Sequence, residues 1–241
     1  MKKSKTRIFI NKTISHNLLI YIKGKQFHFL KNVLRSSIND KINIFDGITG
    51  EWESVILSIN RDTIILKVIN NLNTIYKSND VWLIFAPIKQ YRMNIAIQKA
   101  TELGVSRIIP CLTEYTNVRK INVKNLFDNA IEASEQSERH DIPKIEKEIE
   151  INKLLLDWPE DRILIFCDEK ENTNSGIIKK LTPLKNSLKK SAILIGPEGG
   201  FSEHEREMLL NKDKVIPVSL GKRLLRSDTA IAVSLFSIEQ L

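Results

Sequence analysis

The chain has 241 residues, 42% of them hydrophobic, and a formal net charge of +8. That apolar content is enough for a substantial core, so length and composition exclude a disordered chain and allow one large domain or a small one beside a larger one. Its two cysteines, Cys111 and Cys167, have no second Cys or His at ligand spacing and no apolar run approaches the ~18 residues of a membrane span, which argues against a disulfide framework, a zinc site and a membrane anchor and describes a cytoplasmic protein without a metal.

The first ten residues are basic, and Asn11 and Lys12 break their apolar stretch before it reaches the length of a signal-peptide core. Charge is concentrated at this end: residues 1–75 hold 12 Lys and Arg against 5 Asp and Glu, whereas residues 76–241 hold 25 against 24. A basic module ahead of a near-neutral one fits a nucleic-acid-docking domain joined to an enzyme, the plain alternative being a lysine-rich composition. A short helix is predicted around Phe27 to Leu34. From Lys41 to Asn70 the pattern is strand-like, with Asp46-Gly47, Thr49-Gly50 and Asn60-Arg61-Asp62 supplying turns. The Asn-rich stretch from Asn70 to Asp80 reads as a linker, which divides the chain into a small, mostly β domain over residues 1–72 and a second domain over 73–241.

The second domain alternates strands and helices, the signature of an α/β domain on a mainly parallel sheet. Val81 to Ala86 has strand length, and in the next helix Met93, Ala96, Ile97, Ala100 and Leu103 share one face, with Gly104 as its stop. Further elements follow at Arg107 to Cys111 (strand), Val123 to Glu138 (helix), Ile163 to Cys167 (strand), Ile177 to Leu181 (helix) and Ala192 to Ile195 (strand). That last strand runs into Gly196-Pro197-Glu198-Gly199-Gly200-Phe201, and Ser202 to Glu205 then has the spacing of a capping box. A strand, a glycine-rich loop and a helix N-terminus let backbone approach a small polar ligand closely, the plain alternative being a tight turn. The spacing matches neither the G-x-G-x-x-G of dinucleotide sites nor the phosphate loop of triphosphate sites. A second such unit follows, with strand Val215 to Leu220, the loop from Gly221 to Arg226, and a C-terminal helix that Ser227 or Asp228 would cap. Both loops belong at the carboxyl edge of the sheet, where α/β proteins bind ligands.

The segments ILIGPEGGFSEHE, SLGKRLLRSDTA, IQKATELGVSRIIP and EASEQSERHDIP, with RIF, FHFLKNVLR and FDG nearer the start, resemble the ribosomal RNA small subunit methyltransferase E family of the SPOUT superfamily over nearly the whole chain. The resemblance implies an N-terminal PUA-like β-barrel for RNA and a C-terminal trefoil-knotted α/β domain that binds S-adenosylmethionine. It also implies a homodimer that methylates N3 of a uridine in 16S rRNA of the small ribosomal subunit. Three positions depart from the family's pattern: Asp228 stands where Glu is more frequent, Glu138 where glycine is usual, and Asn94 where an acidic residue is common. A methyltransferase of the same superfamily acting on another RNA position, or a non-catalytic assembly factor on the same fold, are the competing readings.

On this resemblance the cofactor is held, largely by backbone, at Ile195, Gly196, Pro197, Glu198, Gly199 and Gly200 in the first loop and at Leu220, Gly221, Leu224, Leu225 and Arg226 in the second. A Cβ at Gly199 or Gly200 is expected to intrude on it, so that Gly199→Val abolishes binding. Uridine N3 carries a proton at neutral pH, so transfer needs a base or a cation. Arg226 is the candidate to stabilise the developing charge, and Glu198 or Asp228 to orient it or accept the proton. Their plain alternatives are a surface arginine, a loop carboxylate and a helix cap. Lys5, Arg7, Lys25, His28, Lys31 and Arg35, with Lys89 and Arg92 at the start of the second domain's first helix, are the candidate phosphate contacts, and Arg139 is a candidate for the RNA or a dimer partner.

Overall fold

The computed structural model describes residues 6–76, 78–171 and 176–241, so Lys5 lies outside the described residues. Contacts divide the chain into two units, Met1–Lys77 with Ser134–Ile142, and Ser78–Ala133 with Pro143–Leu241.

The first unit carries a five-stranded sheet in the order β1 (Arg7–Phe9), β3 (Lys41–Phe45), β4 (Glu51–Ile59), β5 (Ile64–Asn73) and β2 (Leu19–Ile22). β1 runs parallel to β3, and the remaining pairs are antiparallel. Alternation along the strands points Ile42, Ile44, Ile56, Ile64, Leu66 and Val68 into one core, which Leu30 completes. Three register shifts between β4 and β5 bend and twist the pair. The predicted linker begins inside a strand: Asn70, Asn71 and Asn73 continue β5 opposite Glu53, Trp52 and Glu51. Backbone pairing with β4 overrides the poor strand preference of asparagine there. The predicted helix opens earlier, as α1 (Gly24–His28), and continues into a wider turn over Phe29–Val33 in which Leu34 N–H donates to the Phe29 carbonyl at 3.0 Å.

The return segment Ser134–Ile142 was not legible as part of this unit. Its anchor is Arg7, 8% exposed, whose guanidinium bonds Glu51 (3.1 Å) and donates to the carbonyls of Ser134 (3.0 Å) and Arg139 (3.1 Å). Arg139, also buried, pairs with Asp141 at 2.7 Å. Both arginines therefore hold this frame together and do not face solvent, which corrects the phosphate or partner contacts expected of them. Lys25, His28 and Arg35 are exposed, and Lys31 is half-buried, donating to the Asn60 carbonyl at 3.2 Å.

Two carboxylates stiffen this frame. Asp46 accepts from the backbone N–H groups of Ile14, Ile48 and Thr49 and from the Thr49 hydroxyl, while Glu51 accepts from Arg7 and Asn43 and faces His140 at 3.3 Å. Burial pushes both carboxyls up, but the hydrogen bonds, joined at Glu51 by the charges of Arg7 and His140, outweigh it and hold both below their ordinary values. A carboxyl with a lowered folded-state pKa contributes stability above its unfolded value, and that contribution is lost as pH falls through the folded one. The thermal midpoint is therefore expected to fall as the pH drops below about 4, and the pair Asp46→Asn and Glu51→Gln to flatten the fall. An acid limb as steep in the double variant as in the parent would place the loss elsewhere.

Helix α3 (Val123–Gln136) is capped at its start by Asn122, whose side chain accepts from Asn125 N–H at 3.1 Å. Two residues past its end Glu138 sits at φ 60°, the left-handed conformation in which a glycine is at ease. Its side chain is exposed. Glu138→Gly is expected to stabilise the protein by about 1 kcal/mol, read as a higher urea midpoint at unchanged slope; no gain would show that the side chain compensates its own strain.

The second unit is built on a parallel sheet in the order β12 (Val215–Val218), β10 (Ile163–Cys167), β11 (Lys190–Ile195), β6 (Asp80–Phe85), β7 (Arg107–Leu112) and β8 (Lys144–Ile145), with β9 (Ile149–Glu150) also beside β7. Alternation sorts β10 between two cores. Leu164 and Phe166 join Ile151 and Leu155 of α4 (Ile151–Leu156) and Leu209 of α6 (Glu203–Leu210), whereas Ile165 joins Ile177 and Leu181 of α5 (Ile177–Leu181). Helix α2 (Gln90–Glu102) buries Met93, Ala96, Ile97 and Ala100 as expected, with Leu103 half-buried at its C-cap, packs against α7 (Ser227–Glu239), and stops at Gly104, φ 79°.

Candidate active site

At the carboxyl edge of β10, β11 and β12 lies a cavity of about 580 Å³, within the range of small-molecule sites. Ile195, Gly196, Pro197, Glu198 and Gly200 line it from the loop after β11, and Leu220, Gly221, Leu224, Leu225 and Arg226 from the segment after β12. The two loops expected to build one site thus lie around one cavity. Gly199 and Asp228 do not line it.

The strands that carry these loops are not neighbours, because β10 lies between them. Its end adds Cys167, Asp168 and Glu169 to the wall, residues that sequence reasoning missed. The available signal was general: in a parallel sheet every strand's carboxyl end is a candidate, whatever its place in the chain. Asp168 is buried and pins the wall, accepting Arg206 Nε of α6 at 2.8 Å and Lys170 N–H at 3.0 Å. Burial pushes the Cys167 thiol up to about 12, which leaves it protonated and unsuited to nucleophilic chemistry at neutral pH.

Steric conditions explain the glycines. A Cβ on Gly196 would stand 2.5 Å from Cε2 of Phe201, while Gly200 holds φ 70° and a Cβ there would strike Glu169 Oε1. At Gly199 a Cβ would meet Tyr115, with its Cβ at 3.3 Å and its Cγ and Cδ2 at 3.7 and 3.8 Å, and its φ is not left-handed. The glycine requirement therefore falls on Gly196 and Gly200, and the intrusion expected of Gly199 is corrected, since that residue faces Tyr115. The capping box over Ser202 to Glu205 is present, with Ser202 Oγ accepting from Glu205 N–H and Glu205 Oε2 from Ser202 N–H.

Neither Ser227 nor Asp228 caps α7. Arg226 occupies the cap position by its backbone, without a side-chain cap bond, while Ser227 Oγ donates to the Gly196 carbonyl at 3.4 Å and so ties the two loops together. Asp228 turns to Arg92 of α2, 3.8 Å away, and its Oδ1 is buried without a hydrogen bond. Arg92 therefore faces a carboxylate, whereas Lys89 beside it is exposed. Three exposed cations, Lys222, Arg223 and Arg226, and two exposed carboxylates, Glu169 and Glu198, stand on the cavity wall. Among the described residues no group of His, Cys, Asp and Glu could hold a metal ion, and no helix is long and apolar enough to cross a membrane.

A parallel α/β sheet with a cradle of glycine loops at its carboxyl edge, on a chain that also carries a basic β unit, describes an enzyme of RNA. The sequence pattern of the RNA methyltransferase domain family matches residues 76–239, and that of the RNA methyltransferase PUA domain matches residues 22–69. Ribosomal RNA small subunit methyltransferase E of Rickettsia conorii is 33% identical over 236 residues, 98% of this chain and 95% of its own length. The enzyme of that name from Buchnera aphidicola of Schizaphis graminum is 30% identical over 257 residues, 99% of this chain and 97% of its own. The chain belongs to the ribosomal RNA small subunit methyltransferase E family. Its fold is also that of the Neisseria gonorrhoeae family member solved bound to S-adenosyl methionine, which superposes with a TM-score of 0.87 at 24% identity over 98% of each chain.

Proposed function

We propose that this chain transfers the methyl group of S-adenosylmethionine to N3 of one uridine in 16S rRNA of the small ribosomal subunit, working as a cytoplasmic homodimer on a knotted catalytic unit. The observation that carries this reading is the cavity between the two glycine loops. It suits a nucleoside cofactor without phosphates: the wall offers backbone at Ile195, Gly196, Gly200, Leu220 and Leu225, and side chains are kept out at Gly196 and Gly200. S-adenosylmethionine supplies a methyl group already activated on a sulfonium.

The protein's own task is then alignment and charge. Arg226 on the wall stabilises the anion that develops over N3 and its flanking carbonyl oxygens as the proton leaves. Glu198, exposed on the loop after β11, takes that proton, and Asp228 acts with Arg92 at the start of α7; the presence of Glu198 on the cavity wall supports this reading. Lys25, His28, Lys31 and Arg35 of the first unit and Lys89 of the second meet RNA phosphates. Exposed Val233 and Phe236 on α7 offer apolar surface to a second copy.

Methyl transfer from labelled S-adenosylmethionine to isolated small subunits and to free 16S rRNA, followed by digestion and nucleoside mass spectrometry, tests the reading. N3-methyluridine is expected. Cofactor binding without a methylated nucleoside would favour the non-catalytic alternative, and another methylated nucleoside a different target.

A further inference from the structure

Methylation at N3 uses the edge by which uridine pairs, so a base in a helix or stack must be swung out, leaving its two faces to be held by the protein. The second unit contains an aromatic ring with no other evident use. Tyr115 is 46% exposed, and no ring partner or hydroxyl hydrogen bond of its own occurs among the described residues. It stands beside the glycine loop: a Cβ built on Gly199 would lie 3.3 Å from Tyr115 Cβ and 3.7 and 3.8 Å from its Cγ and Cδ2.

The turn that carries this ring is fastened out of proportion to its length. Thr113 N–H donates to Thr116 Oγ1 (2.9 Å), the two hydroxyls share a bond (2.8 Å), and Thr116 N–H returns to the Thr113 carbonyl (3.1 Å). Glu205, 5% exposed, reaches out of its capping box to accept Glu114 N–H at 2.8 Å while its other oxygen accepts Ser202 N–H. A buried carboxylate thus bolts the end of β7 to the start of α6, and the loop between β11 and α6 is that of the cavity. Gly199, with no side chain, leaves room for Tyr115 against it, and its chain neighbours Glu198 and Gly200 both line the cavity. The fastened turn fixes the backbone from which the ring projects, so a flat apolar face with a polar tip is held beside the glycine loop.

We infer that Tyr115 is the platform on which the extruded target base stacks, setting its N3 edge toward the cavity. The inference rests on the RNA methyltransferase reading above and assigns the substrate-side contact of that same site. Base–aromatic stacking tolerates loss of the hydroxyl and does not tolerate loss of the ring.

The test compares wild type with Tyr115→Phe, Tyr115→Leu and Tyr115→Ala, measuring methyl transfer to small subunits and S-adenosylmethionine affinity by calorimetry. Phe is expected to keep wild-type kinetics, while Leu and Ala lower kcat/KM for RNA by about 10- to 100-fold, all with unchanged cofactor affinity. A Leu variant as active as wild type would overturn the inference. So would a loss of cofactor affinity that parallels the loss of transfer, because Tyr115 would then act by shaping the glycine loop. Wild-type protein that binds cofactor and methylates no RNA would instead fail the functional reading, and this inference with it.

Discussion

Gly196→Val is expected to weaken S-adenosylmethionine binding by about 100-fold or more, the effect of a few kcal/mol of overpacking. The first added atom would stand 2.5 Å from Phe201 Cε2 and 3.1 Å from its Cδ2 and Cζ. Phe201 cannot retreat toward Phe166, whose fully buried ring it meets edge-on at 5.0 Å, and the space open to it is the cavity that it lines. Either the ring swings into the cavity or the loop opens, and with it the wall formed by Pro197, Glu198 and Gly200; both take away cofactor space. Gly200→Ala should cost less: left-handed strain amounts to about 1–2 kcal/mol, and the atom its Cβ strikes belongs to Glu169, an exposed side chain that can swing aside. Gly199→Ala should be the mildest of the three, because the contact at 3.3 Å needs a shift of only tenths of an ångström. Calorimetric titration of the three variants, beside their urea midpoints, gives the order directly. Full affinity in Gly196→Val would remove the cavity from the reading of the cofactor site.

What was legible in the sequence was local. The strands from Lys41 onward, the buried face of α2, the Gly104 stop and the capping box at Ser202 and Glu205 follow from periodicity and spacing over a few residues. What was not legible depends on partners far apart in the chain. Arg7 reads as a docking charge until Glu51, 44 residues on, and the carbonyls of Ser134 and Arg139 close around it. An arginine carries the same letter on a surface and in a buried network. Likewise Ser227 and Asp228 have the composition of a cap, but the helix starts at Ser227 with Arg226 in the cap position, and their side chains turn to the Gly196 carbonyl and toward Arg92. The place of β10 between β11 and β12, which brings Glu169 to the wall, is a property of strand order that periodicity does not encode. For the same reason Tyr115, remote in sequence from both loops, carried no signal at all.

Arg226→Ala is expected to lower kcat by about 100- to 1000-fold, the usual consequence of removing a donor aimed at developing charge, with little change in stability. Its side chain makes no cap bond to α7 and is exposed on the cavity wall, so truncation leaves the fold intact. A planar guanidinium can give two N–H donors to a carbonyl oxygen flanking N3 while leaving the N3 lone pair free for the methyl group, a fixed geometry that an ammonium lacks, and Arg226→Lys should recover only part of the rate. Lys222 and Arg223 share the wall and add to the general positive potential, so alanine at either should cost less than at Arg226. The pH profile separates a chemical role from a positional one. Without the cation the N3 anion is no longer stabilised and Glu198 removes the proton less readily, so residual activity should climb as the pH approaches the base's own ionisation. A loss caused by misplaced cofactor would be the same at every pH, and an unchanged kcat would take Arg226 out of the mechanism altogether.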